Sequence, residues 1–257
     1  MKVVILAGGF GTRISEESLS KPKPMVEIGS MPILWHIMKS YSAQGFDEFI
    51  ICCGYMQHMI KEFFYNYYLY RSDVEFDFSD SNKMKVISNY SEPWRVTLVD
   101  TGLNTMTGGR VKRVKDHVGD NTFMLTYGDG VSNVDVNKLI AYHRSHGRLA
   151  TLTAINVGQR FGVLGMGDNN QVTSFREKSE TDESVINGGF MVLGSKVFDY
   201  IDGDSIAFEK EPLERLACEN QLMAYMHSGF WKCMDTQRDL EELRKLWDSG
   251  RAPWRNW

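Results

Sequence analysis

The chain has 257 residues, 42% of them apolar, with a net charge of −4. That length can bury one substantial core or two small ones, and no Pro/Gly/Ser-rich linker divides it, so it reads as a single domain over 1–257. The acidic balance supplies no basic field for nucleic acid or a membrane surface, so any anion must be held by a local site. With neither a basic leader ahead of an apolar stretch nor a run near the roughly 18 apolar residues of a membrane helix, the expected location is the cytoplasm.

Val3–Ala7 is a continuous β-rich apolar run, and it leads through Leu6 and Ala7 directly into "GGFGTR". Glycines at 8, 9 and 11 let the backbone approach a ligand and direct its amides toward it, while Thr12 adds a hydroxyl and Arg13 a fork of charged donors. This reads as a phosphate-binding loop. A dinucleotide fingerprint set on Gly9 and Gly11 would need glycine at 14, where Ile14 stands, and a Walker loop would need Gly-Lys-Ser/Thr. A tight turn that merely uses glycine's freedom is the alternative reading. In "KPKPM", Pro22 and Pro24 stiffen an extended segment and hold Lys21 and Lys23 where they can meet a polyphosphate.

Further along, Pro32–Gln44 places Ile33, Leu34, Ile37, Met38 and Tyr41 at helical spacing, and Phe49–Cys53 is again a short buried run, completing a βαβ unit. The four cysteines, Cys52, Cys53, Cys218 and Cys233, show no CxxC pair and read as reduced core thiols, the adjacent two on opposite faces of one strand. Helical patterns follow at Gln57–Tyr70 and Gly109–Val118, a strand at Thr122–Tyr127, a helix at Asp135–His146 and a strand at Ala150–Ile155. The aromatic stretch "FFYNYYLY" reads as core or subunit interface, and His143 and His146 as residues of an exposed helix without metal spacing. After Ile155 the strand signals shorten, at Phe161–Met166, Val172–Glu177, Asn187–Leu193 and Leu222–Met226. The whole predicts a Rossmann-like, doubly wound, mixed but mainly parallel α/β sheet with a small antiparallel appendage. In such a sheet, ligands collect where strands end and helices begin. At the end of the chain, "APWRNW" carries two tryptophans that should pack against the protein's own core or a second subunit.

LAGGxGTR followed some ten residues later by KPKPM resembles the sugar-nucleotidyltransferase family. The resemblance runs through "FIICCGY", "EPW.VTLVDTG", "MTGGR.KRV", "YGDGV", "GFW..MDT" and the ending "G.APW". What it implies is Mg²⁺-dependent transfer of a cytidylyl group from CTP to glucose 1-phosphate, toward CDP-linked deoxysugars of surface polysaccharide, by a homo-oligomer of hexameric size. Sugar-binding and oligomer elements would lie mainly in 56–100 and 156–257. In "LTYGDG" and "MDT", Asp129 and Asp235 match the family's metal positions, although each alone also reads as a turn or helix-cap residue. "FREKS" matches the E-K-P segment, putting Glu177 and Lys178 near the sugar phosphate, with Ser179 in place of the usual proline. "VINGGF" matches the sugar-binding strand through Asn187 and Gly188, where a β-bulge would equally account for the glycines.

By the same resemblance, Thr105, Gly109 and Arg110 are candidates near the cytosine and phosphates, Gly128 completes the nucleotide site, and Tyr127 belongs to the sugar-phosphate site. Trp231 could cover a sugar face or sit in the core. Arg13, Lys23, Asp129, Lys178 and Asp235 form the implied catalytic set. Two rival functions remain compatible with these residues: a transferase for another nucleotide or hexose phosphate, and a non-catalytic nucleotide-sugar sensor.

Overall fold

The computed structural model describes residues 1–11, 20–79, 83–156, 163–176 and 185–257. Among them, nine strands form the main sheet: β1 (Val3–Leu6), β2 (Glu48–Cys53), β3 (Arg95–Asp100), β4 (Phe123–Tyr127), β5 (Ala150–Asn156), β6 (Val163–Met166), β7 (Val172–Arg176), β8 (Val185–Leu193) and β9 (Leu222–His227). Their order is β7-β6-β8-β4-β1-β2-β3, with β5 pairing β8 and β9. From β4 to β3 every pairing is parallel. Both faces there are covered, which is why VVIL and FIICC read as unbroken apolar runs instead of alternating ones.

Direction reverses at β8, which is antiparallel to β4, β5 and β6, and β6 and β7 form an antiparallel pair. The expected antiparallel part is therefore present, with one difference. β9 runs parallel to β5, because the helix at Glu211–Cys218 packs back across the sheet after β8 and returns the chain in β5's direction.

Seven α-helices are described: α1 (Ile33–Ser42), α2 (Gln57–Tyr70), α3 (Thr107–Arg113), α4 (Lys115–Val118), α5 (Val136–His146), α6 (Glu211–Cys218) and α7 (Gln237–Asp248). Helices α1, α5 and α7 bury Ile37, Leu139 and Leu240 with Val3 and Ile5 on one face of the sheet. Helices α3, α4 and α6 bury Val111, Val118 and Leu216 with Val4 and Leu6 on the other. The period-two alternation of β1 thus feeds two cores, and Cys52 and Cys53 do the same from β2. Cys218 is exposed and Cys233 only half-buried, so two of the four cysteines are core thiols, not all.

Other differences from the sequence reading have local causes. The helix expected at Gly109–Val118 begins earlier, at Thr107, and breaks at Val114, whose φ of −98° and ψ of 7° separate α3 from α4. Strand β3 was invisible because it lies at the sheet edge, half-buried throughout its middle, with neither a buried run nor clean alternation. The hairpin Ser72–Asp77/Lys83–Asn89 forms a separate two-stranded sheet with no buried residue, so it carries no apolar run to read. His143 is buried, not exposed; its Nδ1 and the Nε2 of His146 both lie 2.8 Å from the Thr151 hydroxyl. In the aromatic stretch, Tyr67 packs inward and stacks on Trp94, whereas Tyr65 and Tyr70 face outward.

Trp254 is fully buried in the chain's own core. It stacks near Phe230, with its centroid 5.6 Å away, and donates its indole N–H to Nδ1 of His36 at 3.4 Å. The other ring nitrogen of His36 lies 2.9 Å from the Ile28 carbonyl, so the neutral tautomer with a proton on Nε2 satisfies both contacts. Burial holds the His36 pKa down to about 4. Its contribution to stability is therefore complete above about pH 6.5 and is lost as pH falls toward 4. Urea titrations across that window should show declining stability, and His36→Gln, which can still donate and accept, should partly flatten the profile. An unchanged profile would contradict the assignment. Trp254→Ala should cost about 3–5 kcal/mol in the same assay.

Candidate active site

The carboxyl ends of β1 and β4 and the segment 103–107 beyond β3 converge on a cavity of about 420 Å³. Leu6, Ala7, Gly8, Gly9 and Gly11 form one wall, Thr105 and Arg110 another, and Lys23, Gly128, Asp129 and Asp235 the floor. Gly11 has a φ of +66°, a conformation that favours glycine. The glycine loop and the KPKP segment therefore meet, as their sequence reading expects. Thr12 and Arg13 lie outside the described residues, as do Glu177 and Lys178.

A second cavity, of about 690 Å³, opens beside the first. Asn187, Gly188 and Trp231 line it, and Tyr127, Met106, Asp129 and Asp235 border both spaces. Trp231 donates its indole N–H to the Gly188 carbonyl at 2.6 Å, which fixes its ring as a wall of this cavity. Asn187 accepts from the Gly189 amide at 2.9 Å through its side-chain oxygen. Gly189 itself has a φ of +80°, and a Cβ there would stand 2.5 Å from the Tyr127 ring, so the glycine is required by close approach.

At the boundary, the Lys23 ammonium lies 2.5 Å from both an Asp129 and an Asp235 oxygen. Burial pulls the lysine's pKa down, but the two carboxylates outweigh it and the net shift is upward. Local structure holds all three in place. Lys23 opens a 3₁₀ turn between Pro22 and Pro24. Asp129 follows β4, and its backbone carbonyl accepts from Met234 N–H at 2.8 Å. Asp235 precedes α7, but the cap is Thr236, reciprocally bonded with Asp239 in a capping box. Asp235 is thus not spent on capping. Lys21, in contrast, pairs with Glu27 at 3.1 Å near the surface and does not join the site.

Arg110 borders the smaller cavity, as its segment implies, and it also braces the protein around it. Its buried guanidinium donates to the carbonyls of Cys53, Gly102 and Leu103 and to the Thr101 hydroxyl, at 2.7–3.2 Å. It braces the strand ends through four contacts to protein oxygens. Gly109 is also structural and lines neither cavity: a Cβ there would stand 2.5 Å from the Asp204 backbone. Sequence reasoning missed Met106, Thr107, Glu209 and Lys210, which line the two cavities. Glu209 carries no recognisable spacing; Thr107 could have been found by its place beside Thr105.

A glycine-walled cavity at parallel strand ends, adjoining a cation held by two carboxylates, is suited to moving a phosphate-linked group. The family model described as nucleotidyl transferase matches residues 2–248, and the chain belongs to that family. It is 55% identical over 258 residues to the glucose-1-phosphate cytidylyltransferase of Salmonella typhi, covering 100% of both chains. Identity is 44% over 259 residues, again with full coverage of both, to the probable glucose-1-phosphate cytidylyltransferase of Bacillus subtilis (strain 168). Among solved structures, HddC from Yersinia pseudotuberculosis shares the fold at a TM-score of 0.75 and 22% identity, over 96% of this chain and 99% of that one. A UDP-glucose pyrophosphorylase from Acinetobacter baumanii does so at 0.75 and 16%, over 95% and 91%.

Arg110→Lys offers one compact ammonium where a planar fork serves four oxygens, leaving buried acceptors unpaired. It should lower stability by about 1–3 kcal/mol in urea and raise the nucleotide KM. Full retention of both would show that the fork is dispensable.

Proposed function

We propose that this protein transfers the cytidylyl group of CTP to α-D-glucose 1-phosphate, giving CDP-glucose and pyrophosphate. The observation that carries this reading is the full-length 55% identity to a glucose-1-phosphate cytidylyltransferase, in a chain whose two cavities meet at Lys23, Asp129 and Asp235. CTP is assigned to the glycine-walled cavity and glucose 1-phosphate to the one lined by Asn187 and Trp231.

The chemistry follows from charge. A sugar 1-phosphate is already an anion near neutral pH, so its oxygen can attack the α-phosphorus of CTP without a protein base. A new P–O bond forms to that oxygen as the bond to the β-phosphate breaks, and pyrophosphate leaves with the electron pair. What the protein must overcome is repulsion between two anions and loss of their freedom. Lys23, charged and buried at the junction, is placed to offset the first; walls built from strand ends hold the reactants in line. Arg13 and Lys178 are proposed to supply further positive charge. Gly8, Gly9 and Gly11 bring backbone close to the triphosphate.

The donor set suits Mg²⁺. Asp129 and Asp235 are hard oxygen donors that already share one cation, and among the described residues no third His, Cys, Asp or Glu joins them. This matches an ion held by one or two carboxylates plus substrate phosphates. When bound, Mg²⁺ would neutralise phosphate charge. We also propose a cytoplasmic homo-oligomer, of hexameric size by resemblance; Tyr65 is 86% and Phe78 79% exposed, apolar surface that a partner subunit could cover. No described helix is long and apolar enough to cross a membrane.

Purified protein given glucose 1-phosphate and Mg²⁺ should release pyrophosphate with CTP in preference to UTP, dTTP, GTP or ATP, and EDTA should stop it. Asp129→Asn or Asp235→Asn should lower kcat/KM by about 10²–10³-fold. Near-native turnover in either variant would remove the carboxylate pair from the mechanism.

A further inference from the structure

We propose that Glu209 is a positioning residue that links the two cavities through one carboxylate, so that the geometry of the nucleotide side sets that of the sugar side. Glu209 stands two residues before α6 and lines the larger cavity. Its Oε1 accepts from the Tyr127 hydroxyl at 2.5 Å, and its Oε2 accepts from the Thr107 hydroxyl at 2.5 Å. Tyr127 borders both spaces, whereas Thr107 borders only the smaller one. A single anionic group therefore spans from the loop that walls the nucleotide cavity to the ring that walls the sugar cavity.

The ends of this bridge are independently fixed. The Tyr127 hydroxyl donates directly to the Glu209 carboxylate. Its ring lies against Gly189, the glycine that adjoins Asn187 and Gly188 in β8. On the other side, the Thr107 hydroxyl also accepts from the Phe208 amide at 2.9 Å. The chain leading to Glu209 is stitched to the same loop: Met106 N–H donates to Asp204 O at 2.8 Å, and Gly108 N–H to Ile206 O at 2.9 Å. Gly108 has no room for a side chain against Ile206, since a Cβ would stand 2.7 Å from that carbonyl. Residues 204–209 thus act as a strap running from the base of α3 to the sugar cavity, with Glu209 at its loaded end. Hydrogen bonds to a charged acceptor are stronger than neutral ones, and shared partners are where mutational effects stop adding.

The inference rests on assigning glucose 1-phosphate to the larger cavity. In the full-length protein, Thr107→Val removes one donor, and with it the acceptor of the Phe208 amide, and Tyr127→Phe removes the other donor, each keeping the side-chain frame. Thr107→Val, although it borders only the smaller cavity, should raise the KM for glucose 1-phosphate by roughly threefold to tenfold. The double variant should be little worse than the poorer single one. Glu209→Gln should retain more activity than Glu209→Ala, because an amide still accepts from Tyr127 and contacts Thr107.

If Glu209→Ala fails to fold, the two hydroxyl deletions carry the test. Multiplicative single effects, or a Thr107→Val effect confined to the CTP KM, would overturn the coupling while leaving the proposed reaction intact. Amide hydrogen exchange reads the same link without substrate. Thr107→Val should speed exchange at 187–189, across the bridge; acceleration confined to 106–109 would overturn the coupling even if the wild-type protein released no pyrophosphate from CTP and glucose 1-phosphate.

Discussion

One buried guanidinium holds the site's scaffold together. Arg110 passes between Gly8 and Gly54, where a Cβ at either position would stand 2.2 or 2.4 Å from its Nη1. From there it binds oxygens at the ends of β2 and β3, and in the loop beyond. Desolvation lowers its pKa, and burying such a charge is costly unless its donors are met. Here three carbonyls and a hydroxyl meet them. The glycine loop, the β2 end and the 101–103 segment consequently pack around one anchor, and the walls of the glycine-lined cavity are set relative to each other. The glycines at 8 and 54 give the arginine the clearance it needs.

The second constraint is electrostatic. Asp129 and Asp235 come from distant parts of the chain, one from a strand end and one from the approach to a capped helix. Two carboxylates facing each other repel, and the Lys23 ammonium between them offsets that repulsion. Two carboxylates and one ammonium leave a single net negative charge at the junction of the two cavities. Its walls are stiff, because Pro22 and Pro24 restrict the lysine's backbone and the Thr236–Asp239 box fixes the start of α7.

What the sequence made legible was what depends on local pattern. The apolar runs of β1, β2 and β4 mark a covered parallel sheet, and the glycine loop, the Lys-Pro repeat and Asp129 after a strand all follow from short-range chemistry. Less legible were roles decided by packing across the chain. Arg110 stands where its segment suggests and also braces protein oxygens, and Gly109 serves close approach to Asp204. His143 reads as surface on its helix and is buried because β5 brings Thr151 beneath it. Lys21 resembles Lys23 in sequence, yet only the latter points at the carboxylates. Strand β3 lacks the signal because an edge strand need not be apolar on both faces. Nothing local distinguishes Glu209 from the acidic residues that follow it.

The placement of Trp254 bears on how the molecule comes to be folded. Its ring closes the core beneath α1, touching His36, a residue made more than two hundred positions earlier. Contacts of such separation form late, since the intervening chain must first be ordered. During synthesis, the face of the sheet carrying α1 would emerge with an apolar gap that no earlier residue fills. Chain that emerges before residue 254 must therefore wait, exposed to aggregation, for that ring to arrive.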